Sequence, residues 1–157
     1  MSATGRVIAI DPGTVRIGLA ISDERGLLAT PLETVPARPP ELLLRRLDEL
    51  IASLGVTTLV VGLPLDLDGS TGRAARAALK LIERLERLTS CAVEPWDERM
   101  TSVLAERALR DGSVRRERRR EVVDQIAATL ILQSWLDARH ARHPAALHGD
   151  APDRDDD

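Results

Sequence analysis

Acidic residues occupy three places in this chain where folding alone does not ask for them. Asp11 ends the apolar run Val7, Ile8, Ala9, Ile10 and precedes a Pro-Gly-Thr turn, although Asp is a poor strand residue. Asp97 and Glu98 follow a second apolar run, in "EPWDERMTS". Asp124 interrupts the most apolar segment, "EVVDQIAATLILQSWL". On a helix it shares a face with Ala127, Ala128, Ile131 and Trp135. That puts a carboxylate on or beside the core-facing stripe, where an uncompensated charge is costly and calls for a cation or a metal. The competing structural reading is an edge position or a salt bridge to Arg120, one turn back. Adjacent side chains on an extended chain point to opposite sides, so Asp97 and Glu98 face one site together only if the chain has turned. One of the pair is then a ligand and the other a helix cap, a role Thr101 or Ser102 also fits, with Glu106 nearby. Hard oxygen donors suit Mg²⁺ or Mn²⁺. Two such ions can activate a water and stabilise the leaving oxygen in phosphodiester cleavage. The basic run Arg115 to Arg120 lies just upstream of Asp124, placed to hold a flanking phosphate; a solvated helix start explains it equally well.

The rest of the chain bounds these readings. A length of 157 residues suits one domain with a real core. No stretch approaches the roughly 20 apolar residues of a membrane span, and "MSATGR" has no signal-peptide pattern. Cys91 is the one cysteine, which points to a reducing, cytoplasmic setting; its apolar neighbours predict a buried structural thiol. With no Phe or Tyr and only Trp96 and Trp135, the core must be aliphatic, and nucleic-acid binding through aromatic stacking platforms is disfavoured. The net charge of −3 favours no polyanion, but the segment Arg110 to Arg120 is basic while "DAPDRDDD" is acidic. His140, His143 and His148 all fall in a polar tail, so a zinc site is not expected.

The elements that must position the acids can be read from periodicity. Runs at 7–10 and 17–21 predict consecutive strands around the turn, and 27–35 a third, bent or on an edge because of Pro31. Leu42, Leu43, Leu47, Leu50 and Ile51 predict a helix over 41–53. "TTLVVGLP" reads as a buried strand, and 70–88 as a helix with a stripe of Ala74, Ala77, Ala78, Leu81, Ile82 and Leu85. "CAVEPW" reads as a fifth strand, followed by a short helix (102–109) and a long one (about 116–139). Asp23, after the second strand, reads as a turn residue. Short links make the first three strands antiparallel, and crossover helices make the others parallel. The expected fold is therefore α/β and ribonuclease-H-like: a five-stranded mixed sheet, three strands antiparallel and two parallel, flanked by helices. A Rossmann order would place a helix after the first turn. Residues 1–139 form a single domain in this reading, and 140–157 a disordered acidic tail.

Four blocks, "IDPGTVRIGLAISD", "VVGLPLDLDGSTG", "DERMTSVLAE" and "VVDQIAATLILQSWLD", together resemble the YqgF/RuvX family of Holliday-junction resolvases and pre-16S rRNA nucleases. The resemblance covers about residues 5–139, with the blocks in family order and spacing. It implies a ribonuclease-H-like nuclease domain with a divalent-metal site of Asp11, Glu98 and Asp124, these being both catalytic residues and metal ligands, with Mg²⁺ or Mn²⁺ as cofactor. Arg16, a position of the family motif, is expected near the phosphate, and nucleic-acid contacts are expected also from Arg99 and, in the basic run, from Arg115, Arg116 and Arg119. The implied role is 5′-end processing of precursor 16S rRNA in ribosome biogenesis, with branched DNA as second substrate and the ribosome or its small subunit as a candidate partner. The chain is expected to act in the cytoplasm, away from membranes, as monomer or homodimer. Two departures stand out. The second block usually reads "PLNMDGS", where this chain has Asp66 and Leu67, which adds charge near the implied site. The strand "TTLVVGLP" also lacks the acid that better-established resolvases of this superfold place there, so Glu98 must substitute from the neighbouring strand.

Two rival classes remain at this point. Sugar kinases and actin-like ATPases also begin with Asp-x-Gly-Thr on a first hairpin, but they need two such domains, and this chain is too short. A non-catalytic module binding RNA, ribosomes or transcription complexes would use the acids structurally.

Overall fold

The computed structural model describes residues 5–100 and 116–142, with side chains of the last helix described from residue 124 onward. The expected short helix at 102–109, with Thr101, Ser102 and Glu106, lies outside the described residues. So do Arg115, His143, His148 and the rest of the tail from 143 onward.

Strands β1 (Arg6–Asp11), β2 (Arg16–Ser22) and β3 (Ala29–Pro36) are followed by helix α1 (Pro40–Leu54), β4 (Val56–Leu63), α2 (Arg73–Leu88) and β5 (Ala92–Asp97). A short 3₁₀ turn spans Glu98–Met100, and the long helix α3 covers Arg116–Arg142. The sheet order is β3-β2-β1-β4-β5. β1, β2 and β3 pair antiparallel, while β4 pairs parallel with both β1 and β5. Short turns leave no option but antiparallel pairing for the first three strands, and α1 and α2 supply the crossovers that parallel strands need. This is the ribonuclease-H-like order anticipated from the sequence.

Strand alternation divides the core between two faces. Ile8, Ile10, Leu19, Leu59 and Val61 face α1 and α2, meeting Leu43, Leu47, Ala78, Ile82 and Leu85. Val7, Ala9, Ala20 and Val60 face α3, meeting Ala127, Ala128, Ile131, Leu132, Trp135 and Leu136. The small Ala127 and Ala128, both fully buried, let α3 lie close on the sheet. Polar contacts fix its position further. The Gln133 amide accepts from the Ala29 backbone N–H at 2.9 Å and donates to the Leu27 carbonyl at 3.0 Å. Trp135 Nε1 donates to Glu94 Oε1 at 3.1 Å, tying α3 to β5.

Local details refine the sequence reading. Pro31 is tolerated because β3 is an edge strand, and the register skips Leu32 between the Leu19–Glu33 and Ala20–Pro31 pairs. Pro40 opens α1 at its first turn, and Gly55, at φ 69°, closes it in the left-handed conformation with its N–H on the Ile51 carbonyl. The buried stripe of α2 is Ala75, Ala78, Ile82 and Leu85; Ala74 and Ala77 face solvent. Helix α3 runs to Arg142, so His140 to Arg142 are helical instead of belonging to a tail. Cys91 is half-buried, with Sγ 3.5 Å from the Val56 carbonyl, and burial pushes its thiol pKa up. Asp23 holds the β2–β3 turn by accepting the Leu27 and Leu28 N–H groups at 2.8 and 3.1 Å. Among the described residues, no helix is long and apolar enough to cross a membrane.

Candidate active site

The three acidic positions lie on one face of the sheet, around the end of its central strand β1. Asp11 ends β1 two residues after Ala9, and therefore shares the α3 face with Val7 and Ala9. It is 3% exposed. Two glycines flank it. Gly18 stands opposite on β2, in direct register with Asp11. On the other side Gly62 follows Val61, the β4 partner of Ile10, and continues the α3-facing series from Val60. Each glycine makes room for one of the other two acids. A Cβ at Gly18 would collide with the Asp124 carbonyl group and lie 3.4 Å from its Cβ, so the start of the described part of α3 rests directly on β2. A Cβ at Gly62 would lie 2.8 Å from Glu98 Oε2 and 2.7 Å from Ile131 Cδ1. The missing side chains are cradles into which backbone and carboxylate fit.

β5 separates the neighbouring acids. Trp96 packs with the α3-side core, and Glu98, two residues on, returns to that face and is 2% exposed. Asp97 instead holds Arg99, with Arg99 Nη2 2.7 Å from Asp97 Oδ2 and Nε 3.1 Å from both carboxylate oxygens. The hydrogen-bonded Arg99 guanidinium lowers the pKa of the Asp97 carboxyl, and the Asp97 carboxylate raises that of Arg99 in turn. Arg99 Nη1 also donates to the Leu67 carbonyl at 3.3 Å, clamping the loop after β4. Within that loop Asp66 accepts the Ser70 hydroxyl at 3.0 Å and Asp68 accepts the Ser70 N–H at 2.9 Å. The unusual Asp66 thus serves as an acceptor inside its own loop.

Asp124 is half-buried and pairs with Arg16 of β2: Arg16 Nε lies 3.2 Å from Asp124 Oδ2; the Arg120 side chain, the partner offered by the competing reading, lies outside the described residues. Arg16 precedes Gly18 by two residues and so shares its face. The donor set fits a hard divalent cation in kind, because carboxylate oxygens suit Mg²⁺ or Mn²⁺ and the two glycine cradles bring the acids to either side of Asp11. In place, Asp124 is held by Arg16. Among the described residues no three His, Cys, Asp or Glu groups stand close enough to share one ion. Arg116 and Arg119 lie on α3, where side chains are not described.

Residues 5–138 match the family described as "RuvX: Holliday junction resolvase". The chain belongs to this family. Similar curated proteins from Chloroflexus aggregans and Symbiobacterium thermophilum are each named "Putative pre-16S rRNA nuclease". The first is 44% identical over 133 residues, covering 85% of this chain and 94% of its own. The second is 45% identical over 142 residues, covering 90% and 99%. A solved structure, T. thermophilus RuvC in complex with Holliday junction substrate, is 18% identical with a TM-score of 0.48, over 88% of this chain and 96% of that one; so distant a likeness carries nothing about activity.

Two site features escape the sequence reading. One is Gly62, whose signal was present as an isolated glycine within a β-branched strand run, a mark of close approach. The other is the Arg16–Asp124 pair, 108 residues apart, for which no local pattern exists.

Proposed function

We propose that this chain is a metal-dependent endonuclease that hydrolyses phosphodiester bonds, with Asp11, Glu98 and Asp124 as its acidic centre. Membership of the RuvX family makes it a hydrolase acting on nucleic-acid ester bonds. The observation that supports the metal reading is the placement of Asp11, Glu98 and Asp124 on the α3 face around the end of β1, with a glycine cradle on each side of Asp11.

In this reading the three carboxylates would hold Mg²⁺ or Mn²⁺, which when bound supplies charge neutralisation at the phosphate and lowers the pKa of a bound water. The chain's own part is placement. Asp11 and Glu98 are oriented by strand ends, Asp124 by the seating of α3 on Gly18, and all three are largely shielded from bulk water, where electrostatic effects are stronger. Arg16 would contact a phosphate beside the centre, and Arg115, Arg116 and Arg119 a flanking one. Arg99, clamped to Asp97, would meet nucleic acid beside the loop after β4.

The favoured substrate is precursor 16S rRNA at its 5′ end, supported by the names of the relatives, in a cytoplasmic setting and with the small ribosomal subunit as a partner. Four-way DNA junctions are the second reading, supported by the family's description; they would call for a symmetric dimer making paired cuts. The purified chain with Mn²⁺ or Mg²⁺ is expected to cut a precursor 16S rRNA fragment in preference to a synthetic junction. Asp11→Asn and Asp124→Asn should each abolish cutting while circular dichroism shows the fold intact. Equal cutting by folded variants would sink the nuclease assignment, and preference for the junction would reverse the substrate order.

A further inference from the structure

Arg16 sits where it can do more than touch substrate. Its Nε is 3.2 Å from Asp124 Oδ2, and the two side chains are only 24% and 18% exposed. It reaches that carboxylate from the strand that pairs with β1, two residues before the glycine that opposes Asp11. The carboxylates of Asp11, Glu98 and Asp124 lie on the same face of the sheet. Yet no three acidic groups among the described residues are gathered tightly enough to share an ion. The carboxylate on α3 is instead in the grip of the β2 arginine.

We propose that Arg16 is an exchangeable counter-ion for Asp124: it holds this carboxylate in the metal-free protein, and a divalent cation must displace it to recruit Asp124. The inference rests on the nuclease reading of the same site and adds an order of events within it. Cation binding and the Arg16–Asp124 pair exclude one another, so the pair lowers the apparent metal affinity by the fraction of molecules in which it is formed. The displaced guanidinium, anchored on β2 beside the centre, then becomes available for a phosphate oxygen, the geometry for which an arginine fork is suited. Arg16 is thus a positioning residue before substrate arrives and a phosphate contact afterwards.

The test is a direct titration with Mn²⁺ by isothermal calorimetry, without nucleic acid, on wild type, Arg16→Gln, Asp124→Asn and the double variant. Removing the competitor should tighten Mn²⁺ binding by about two- to fivefold, the range set by a partly exposed ion pair. Loss of a positive charge nearby would also tighten binding, so the double variant decides. Exchange at Asp124 predicts that Arg16→Gln has little effect once Asp124→Asn is present, whereas a long-range charge effect would persist there. Arg16→Ala, which removes the guanidinium equally, carries the same comparison if Arg16→Gln does not fold. Binding no tighter in the single variant, or equal tightening in both backgrounds, overturns the exchange. If wild type binds no Mn²⁺ at all and cuts nothing, the nuclease reading itself falls; if it binds and cuts while Arg16→Gln binds no tighter, only the exchange is lost.

Discussion

Adding one methyl group at either glycine beside Asp11 should damage the site in two distinguishable ways. At Gly18 the new Cβ would stand 2.8 Å from the carbonyl carbon of Asp124, and closer still to its oxygen. That is about 0.6 Å short of the 3.4 Å where ordinary contact begins. Both sides of the clash are backbone. β2 is locked between β1 and β3, and α3 is anchored a turn later by Ala127, Ala128 and Ile131, all with no exposed surface. The start of the described helix must lift, at an overpacking cost of ~1–3 kcal/mol or more. Asp124 is carried along, and a displacement approaching 1 Å is enough for a loss of up to ~10²-fold in rate. At Gly62 the methyl meets Ile131 Cδ1 and Glu98 Oε2 at 2.7 and 2.8 Å. These are the far ends of buried side chains, which yield more readily than backbone, so the stability cost should fall at the low end of ~1–3 kcal/mol while Glu98 is still pushed from its seat. Urea unfolding followed by fluorescence of Trp96 and Trp135 measures the first quantity, and Mn²⁺-dependent cleavage the second. Both variants should cut poorly, with Gly18→Ala clearly the less stable. A Gly18→Ala protein within ~0.5 kcal/mol of wild type, or one more stable than Gly62→Ala, would refute the reasoning.

Further outcomes follow from the packing and the ion pairs. Leu132 is fully buried between α3 and the sheet, so Leu132→Ala should cost ~2–5 kcal/mol in urea unfolding at unchanged m-value; a loss under ~1 kcal/mol would mean that α3 packs more loosely than described. The Asp97 carboxyl is lowered by its Arg99 partner. Its contribution to stability is therefore complete above the ordinary carboxylate pKa of about 4 and is lost as pH falls through the lower folded-state value. Unfolding midpoints measured from neutral pH down to about pH 2 should show a shallower acid limb in Asp97→Asn than in wild type, and parallel limbs would remove the pair from the account.

Much of this structure was legible in the chain, and the reasons are physical. The sheet order followed from link lengths, because short turns and long crossovers leave few choices. Alternation along β1 was strong enough to place Asp11 at a strand tip, and the Ala127, Ala128, Ile131, Trp135 face placed Asp124 at the edge of a core stripe. The α2 stripe was misread by one position at its start, because alanine is apolar enough to fit either face and Ala74, Ala75, Ala77 and Ala78 offer two phases. The choice between Asp97 and Glu98 was open in a periodic reading, since it depends on where β5 stops and the 3₁₀ turn begins. Partners across the fold were the least legible. Arg16 and Asp124 stand 108 residues apart in the chain, and only the folded sheet brings them together.

The end of β5 links the two faces of the sheet mechanically. On one side Asp97 grips Arg99, and through it the loop carrying Leu67; on the other, Glu98 reaches into the acidic centre. One peptide unit joins these two carboxylates, so the loop and the buried acid share the same few backbone dihedrals. Whatever draws that loop toward itself pulls on Glu98 through a lever two residues long. The stiffness of the lever depends on an ion pair open to solvent, which dissolved salt screens.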